Sequence, residues 1–279
     1  KILSLKITST WNYVIALFTT AWFFVHTANA ETINYIIARS DSFSTLMIVL
    51  SFVLYIYIPS SRKKYLYFIP IIAGFFVKEQ AIMFVPLLFV YKLLFEEYIS
   101  FGEIWKKISS VFLIFKKLLI PLLICIVLFV FSRAMTPDTW TSGATDKWKY
   151  LFTQPFVIFH YFYNFILPVN LVVDTDWKII SSYYDDRVLA GILFIIALIY
   201  AAFKTSKIEK YKPVAFGISW FLISLAPTSS IFPFSEVLND HRTFLPYIGL
   251  FIAVATLLQI LVTSNAFEKK TYAKLILFP

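Results

Sequence analysis

The chain has 279 residues, of which 59% are hydrophobic and only 15% charged, with a mean hydropathy of +0.77. So few charges beside so many apolar side chains exclude an ordinary soluble domain and point to a protein that lives in lipid. The net charge of +9 does not imply a nucleic-acid partner, because the basic excess sorts by loop.

Long apolar runs alternate with short polar stretches. Taken alternately, one set of stretches holds 17 of the 25 basic residues and five of the 16 acidic ones. The other set holds the remaining bases and acids in nearly balanced numbers. The positive-inside rule assigns the first set, beginning with Lys1, to the cytoplasm. The second face keeps mixed charges and all three histidines, so any chemistry is expected there. Abundant Phe, Tyr and Trp fit aromatic belts and lipid-facing helices. The single Cys125 lies in an apolar run, so no intrachain disulfide can form.

The apolar runs predict spans near 11–25, 43–58, 65–77, 80–95, 118–134, 188–203, 213–228 and 245–263. Together they make an all-α, polytopic helix bundle of about eight spans, one transmembrane domain over 1–279. Several runs are shorter than the ~20 residues that cross a bilayer squarely, so their ends extend into polar flanks or pack inside the bundle.

The first outer loop runs from His26 through Glu31 and Asn34 to Arg39, Ser40 and Asp41. Its charges crowd against hydrocarbon, where burying them is costly. Glu31 and Arg39 are two i, i+4 steps apart and could share a helix face. Ser40 or Asp41 could cap the helix that follows. Next comes Lys78-Glu79 as a turn between two apolar runs. One long helix over 65–95 would invert the topology of everything after it, and the charge bias favours two short spans. Segment 96–117, with Trp105 and four lysines, reads as a cytoplasmic interfacial helix. Segment 135–187 is the longest outer stretch. Within it, 156–167 is aromatic-rich, carries His160 and Asn164 at i, i+4, and is too short to span. It suits a helix lying at, or re-entering, the outer interface, with His160 packed among aromatics.

A late loop brings Asp240, His241 and Arg242 together just before the last span, after Glu236. Arg242 is a natural bidentate partner for a phosphate. Asp174, Asp176, Asp185 and Asp186 could hold a divalent cation, although solvated loop acids explain them as well. There is no Gly-rich phosphate loop, zinc-ligand spacing or Gly-x-Ser-x-Gly elbow.

Three phrases stand out together: VHTANAETINYIIARSDSFSTL (25–46), VKEQAI (77–82) and APTSSIFPFSEVLNDHRTFLPYIG (226–249). They resemble the membrane region of bacterial tetratricopeptide-repeat (TPR) membrane proteins related to the transmembrane-and-TPR O-mannosyltransferases, members of the GT-C class of glycosyltransferases. The resemblance implies sugar transfer from a polyprenyl-phosphate-linked donor to a protein or glycan acceptor at the non-cytoplasmic face of a bacterial inner membrane. It implies Arg39, Lys78, His241 and Arg242 near the donor phosphate, with His26, Glu31 and Asp240 also at the site. The class places its catalytic acid in the first outer loop. Here the first visible span looks like the third of the class. The expectation is therefore a fragment that lacks two spans and the acidic loop upstream, and TPR repeats downstream. Within the chain, Glu79 or Asp41 is the fallback base.

Two other readings remain at the level of sequence. A transporter for a lipid-linked substrate would place charges deep in the spans and show inverted repeats. A non-catalytic anchor would carry soluble repeats for protein contacts.

Overall fold

The computed structural model describes residues 11–136, 146–169, 171, 175, 177–230, 233–234 and 236–263. Among these residues the chain is helical and has no strand. The elements are α1 (Trp11–Val25), α2 (Ala30–Asn34), α3 (Arg39–Tyr57), α4 (Pro59–Lys63), α5 (Ile69–Val77), α6 (Phe84–Tyr91), α7 (Ile108–Met135), α8 (Lys147–Ile166), α9 (Asp186–Ser206), α10 (Lys212–Leu225) and α11 (Phe244–Val262). Four helical stretches are long and apolar enough to cross a membrane: Arg39–Tyr57, Ile108–Met135, Asp186–Ser206 and Asp240–Val262. Trp11–Val25 and Leu66–Val77 are apolar but shorter. Large apolar side chains such as Leu17, Leu46, Leu123, Val127 and Ile196 point outward, as they do where the surrounding medium is lipid.

The chain reverses at Lys78, whose backbone is extended (φ −153°, ψ 127°). A Cβ added at Gly74 would sit 3.3 Å from that of Ala81, a contact no continuous helix allows between residues seven apart. At the far end of the hairpin, Tyr67 and Tyr91 both pack on Tyr55. The two-arm reading of 65–95 is therefore the observed one.

Helices α1 and α11 run antiparallel. Asn12 meets Gln259 at one end, and His26 meets Tyr247 and Phe251 toward the other. Helices α10 and α11 touch backbone to backbone, because a Cβ on Gly217 or Gly249 would overlap the other residue's carbonyl oxygen. In lipid, apolar burial gives helices little reason to associate, so such close backbone approach carries much of the packing. Two apolar cores result. One joins α3, the hairpin, α7 and α10. The other joins α8–α11 with the end of α1.

Two expectations need correction. Segment 96–117 is not a separate interfacial helix. A short turn, Phe101–Glu103, carries a Ser100–Glu103 capping box, and α7 then runs unbroken over 28 residues, about 42 Å at 1.5 Å per residue. Lys116 and Lys117 thus sit within the same helix as the apolar run. The aromatic segment is also longer than its apolar run suggested. Asp146 accepts hydrogen bonds from the backbone N–H groups of Trp148 and Lys149 and starts a 20-residue helix, α8. Its inward face recurs at helical spacing, with Tyr150, Thr153, Gln154, Val157, Ile158, Tyr161, Asn164 and Phe165 buried. Along its whole length α8 meets one end of the bundle: Thr228, Val237, Asn239 and the loop before α2. It lies across that end as a platform.

Candidate functional site

Under one edge of this platform, three sequence-distant segments converge. The tight turn Asp240–Thr243 packs on Thr27–Asn29 and α2. Thr243 ties the turn to itself by donating from Oγ1 to the Asp240 carbonyl (2.7 Å). Tyr161 of α8 holds Asn239 twice, donating to its carbonyl and accepting from its N–H, both at 2.9 Å. The amide of Asn164 reaches Asp240 at 3.4 Å. Tyr161 and Asn164 lie on the same α8 face, so α8 sets the position of the Asp240-His241-Arg242 turn.

Glu31 and His241 meet across 210 positions of sequence. His241 Nδ1 lies 3.1 Å from Glu31 Oε1. A carboxylate only accepts, so Nδ1 carries the proton and donates. The Thr32 hydroxyl donates to the His241 carbonyl from the same short helix (3.4 Å). The Glu31 side chain is 8% exposed, and its second oxygen, Oε2, has no hydrogen-bond partner among the described residues. Glu31 lines a cleft of about 500 Å³ together with Thr27, Asn34, Tyr35, Leu171 and Asp240.

Arg242 is buried and engaged. It donates to the Glu236 carbonyl (3.1 Å), pairs with the Glu236 carboxylate (3.4 Å) and lies over the Phe234 ring (5.0 Å). Lys78 pairs with Asp41 at 2.5 Å, joining the hairpin turn to the first turn of α3. Asp41 is buried, and its Oδ2 has no partner among the described residues. Glu79 is exposed and accepts from Ser132 near the end of α7. Arg39 is exposed, and its side chain makes no hydrogen bond or ion pair among the described residues. It follows an exposed apolar lip of Ile33, Tyr35, Ile36 and Ile37.

Several expectations change here. Glu31 and Arg39 do not share a helix face, because α2 stops at Asn34 and Tyr35 is extended. Neither Ser40 nor Asp41 caps α3. The helix begins earlier, at Arg39 after Ala38, and Ser40 Oγ bonds the Ile37 carbonyl instead. His26 faces away from the charged groups. Its Nε2–H donates to the Phe165 carbonyl (3.0 Å), and its ring stacks on Phe165 and edges onto Tyr247 and Phe251. His160 packs on Trp177 (4.9 Å) and meets Asn164 at 3.2 Å. Asp185 caps α9 and grips Arg187 with both oxygens, which holds its carboxyl down at about 2. Asp174 and Asp176 lie outside the described residues. Among the described residues no group of three His, Cys, Asp or Glu side chains could hold a metal ion.

The sequence reading placed Glu236 in the late loop without pairing it with Arg242, and passed over Tyr161. An acid six positions before Arg242 is the one local signal for the first. Tyr161 carries no signal, since its partner lies 78 positions away.

At the opposite end a second charged group forms. Buried Lys92 donates to Glu96 (2.6 Å) and to the Tyr55 hydroxyl (2.7 Å), while Arg62 pairs with Glu96 (3.3 Å) and covers the Tyr55 ring. These groups satisfy one another.

Comparison with protein-family models, with curated proteins and with solved structures finds no match for this chain.

Proposed function

We propose that this chain is the membrane domain of a GT-C-type glycosyltransferase that moves a sugar from a polyprenyl-phosphate-linked donor to a protein or glycan hydroxyl. In this reading the bundle crosses the membrane eight times, the basic-rich end, Lys1 included, faces the cytoplasm, and the α8 end faces outward. A bacterial inner membrane fits the resemblance.

One observation carries the reading. Exposed Arg39 follows an apolar lip of Ile33, Ile36 and Ile37, four positions after Tyr35, which lines a cleft together with Glu31 and Asp240. A lipid phosphate needs a cation beside an apolar surface, and an acceptor hydroxyl needs a carboxylate nearby. Lys78 and Arg242 are each paired with an acid, and Asp41 and Glu236 position them. His241 is held by Glu31, which lines the cleft.

The test is sugar transfer in membranes containing the protein, using labelled polyprenyl-phosphate sugars. Labelled product from at least one donor supports the reading. No product from any donor, with the protein shown to be folded, contradicts it.

A further inference from the structure

A second pocket lies where α8 crosses α9. Phe156, Trp177, Lys178, Ile180 and Arg187 line about 240 Å³, several times the ~30 Å³ share of one water molecule. It has no lining residue in common with the Glu31 cleft. Its walls are fixed. A Cβ on Gly191 would overlap the backbone of Pro155 and Phe156, so the two helices meet there without a gap. Thr175 donates to the Leu238 carbonyl and the Ile180 N–H donates to Thr153, both at 2.9 Å, which pins the stretch carrying Trp177 and Lys178. Trp177 stacks on Phe156 at 5.5 Å.

The polar side chains of this lining all donate. Lys, Arg and Trp have N–H groups and no acceptor. Lys178 is exposed and has no ion-pair partner among the described residues. Arg187 gives its Nε and Nη2 to Asp185 at 2.9 and 2.8 Å, which leaves Nη1 uncommitted among the described residues. The lining therefore holds two cations and no acid, the reverse of the Glu31 cleft. Of the nearby described acids, Asp185 is already paired and Asp186 is exposed. Arg187 also stands at the start of the candidate span Asp186–Ser206, whose Leu189, Leu193 and Ile196 are exposed as lipid-facing residues are. The cations thus sit where an apolar layer would end and lipid phosphates begin.

We propose that this pocket binds a phosphate group through Lys178 and Arg187, and that an anionic phospholipid of the surrounding leaflet supplies it. A guanidinium and an ammonium together give a phosphate charge-assisted hydrogen bonds, the stronger kind. The Phe156–Trp177 stack offers the ester side of the headgroup an apolar wall. Asp185 competes with the phosphate for Arg187, so it sets how readily the site fills. No bond is made or broken, and the site does not depend on sugar transfer.

The experiment follows the indole N–H NMR signals of the full-length protein in a neutral detergent, with the Trp177 signal assigned by its loss in Trp177→Phe. The probes are phosphatidylglycerol, phosphatidylcholine with the same chains, and inorganic phosphate. Phosphatidylglycerol should shift the Trp177 signal saturably, and phosphatidylcholine should need much more lipid, because its choline meets two cations. Lys178→Gln and Arg187→Gln should each weaken phosphatidylglycerol binding roughly three- to tenfold, as loss of a partly exposed charge-assisted hydrogen bond does. Asp185→Asn should strengthen it, since the guanidinium is freed while asparagine still caps α9. Lys149→Gln removes a charge from α8 outside the pocket and should leave binding unchanged. Unmoved signals from the other tryptophans show that each variant is folded. A shift with inorganic phosphate but none with phosphatidylglycerol supports the phosphate site and overturns the lipid as its source. No Trp177 shift with either probe overturns the site. So does a weakening by Lys149→Gln equal to that by the pocket variants, or weaker binding by folded Asp185→Asn.

Discussion

The Lys78 ammonium stands 2.5 Å from the Asp41 carboxylate, joining the hairpin turn to the first turn of α3. Asp41 is 4% exposed at its side chain, and removing Lys78 would leave it buried without its partner. The pair is therefore a clamp, and Asp41 is committed to it. Lys78→Ala strands a buried carboxylate and should cost about 2–4 kcal/mol. Adding Asp41→Ala should recover part of that loss. Thermal unfolding in detergent, run as a double-mutant cycle, measures the coupling. Additive losses would show that the clamp does not exist.

Gly217 and Gly249 test the packing of the last two helices. Alanine at either position drives a methyl into the facing backbone. Each change should destabilise the protein by about 1–3 kcal/mol, the usual cost of overpacking. Gly102→Ala is the control. Its added Cβ meets only the flexible end of Lys207, at 3.4 Å, and the unfolding midpoint should not move. Equal effects at all three positions would contradict the close approach of α10 and α11.

His26 should prove structural. His26→Phe keeps the ring among Phe165, Tyr247 and Phe251 and gives up one hydrogen bond, about 1 kcal/mol. Sugar transfer should remain within threefold of wild type once expression is matched. A loss of a hundredfold, with the protein folded, would return His26 to the site.

Glu103 gives a pH-dependent test at the opposite end. The Ser100 backbone N–H (3.0 Å) and hydroxyl (2.8 Å) hold its carboxyl down at about 2. A depressed carboxylate contributes fully above its ordinary range near 4.5 and loses that contribution as pH falls toward 2. Ser100→Ala removes the hydroxyl donor, so the Glu103 titration midpoint should rise toward 4.5. Carboxyl-carbon NMR on the labelled protein reads it. An unchanged midpoint would mean that the hydroxyl does not hold the group down.

Local signals were legible in the sequence wherever one short segment carried them. The Lys78-Glu79 reversal could be read because charge bias penalises the single-helix alternative, and the approach of Gly74 to Ala81 shows the reversal. The Asp240-His241-Arg242 turn could be read as a unit because its residues are adjacent. Helix starts were harder. Helix α3 begins before its apolar run, and α7 runs back through a lysine-bearing stretch, since polar residues continue a helix as readily as they end one. The Glu31–His241 pair could not be read at all. Its partners are 210 positions apart, and nothing local to Glu31 distinguishes a pairing with His241 from one with Arg39. Only the packing of Asp240–Thr243 against α2 decides it.

The most direct measurement is the rate of sugar transfer from a labelled polyprenyl-phosphate donor by wild type, Arg39→Ala and Arg39→Lys, in membranes with matched amounts of folded protein. Arg39 is exposed and unpaired among the described residues, so its loss should leave the fold intact. The account predicts that Arg39→Ala lowers kcat/KM by about 10²–10³-fold, as loss of a charge-stabilising donor does, with Arg39→Lys between the two. Transfer by Arg39→Ala within threefold of wild type would contradict the placement of the donor phosphate at this end of the bundle.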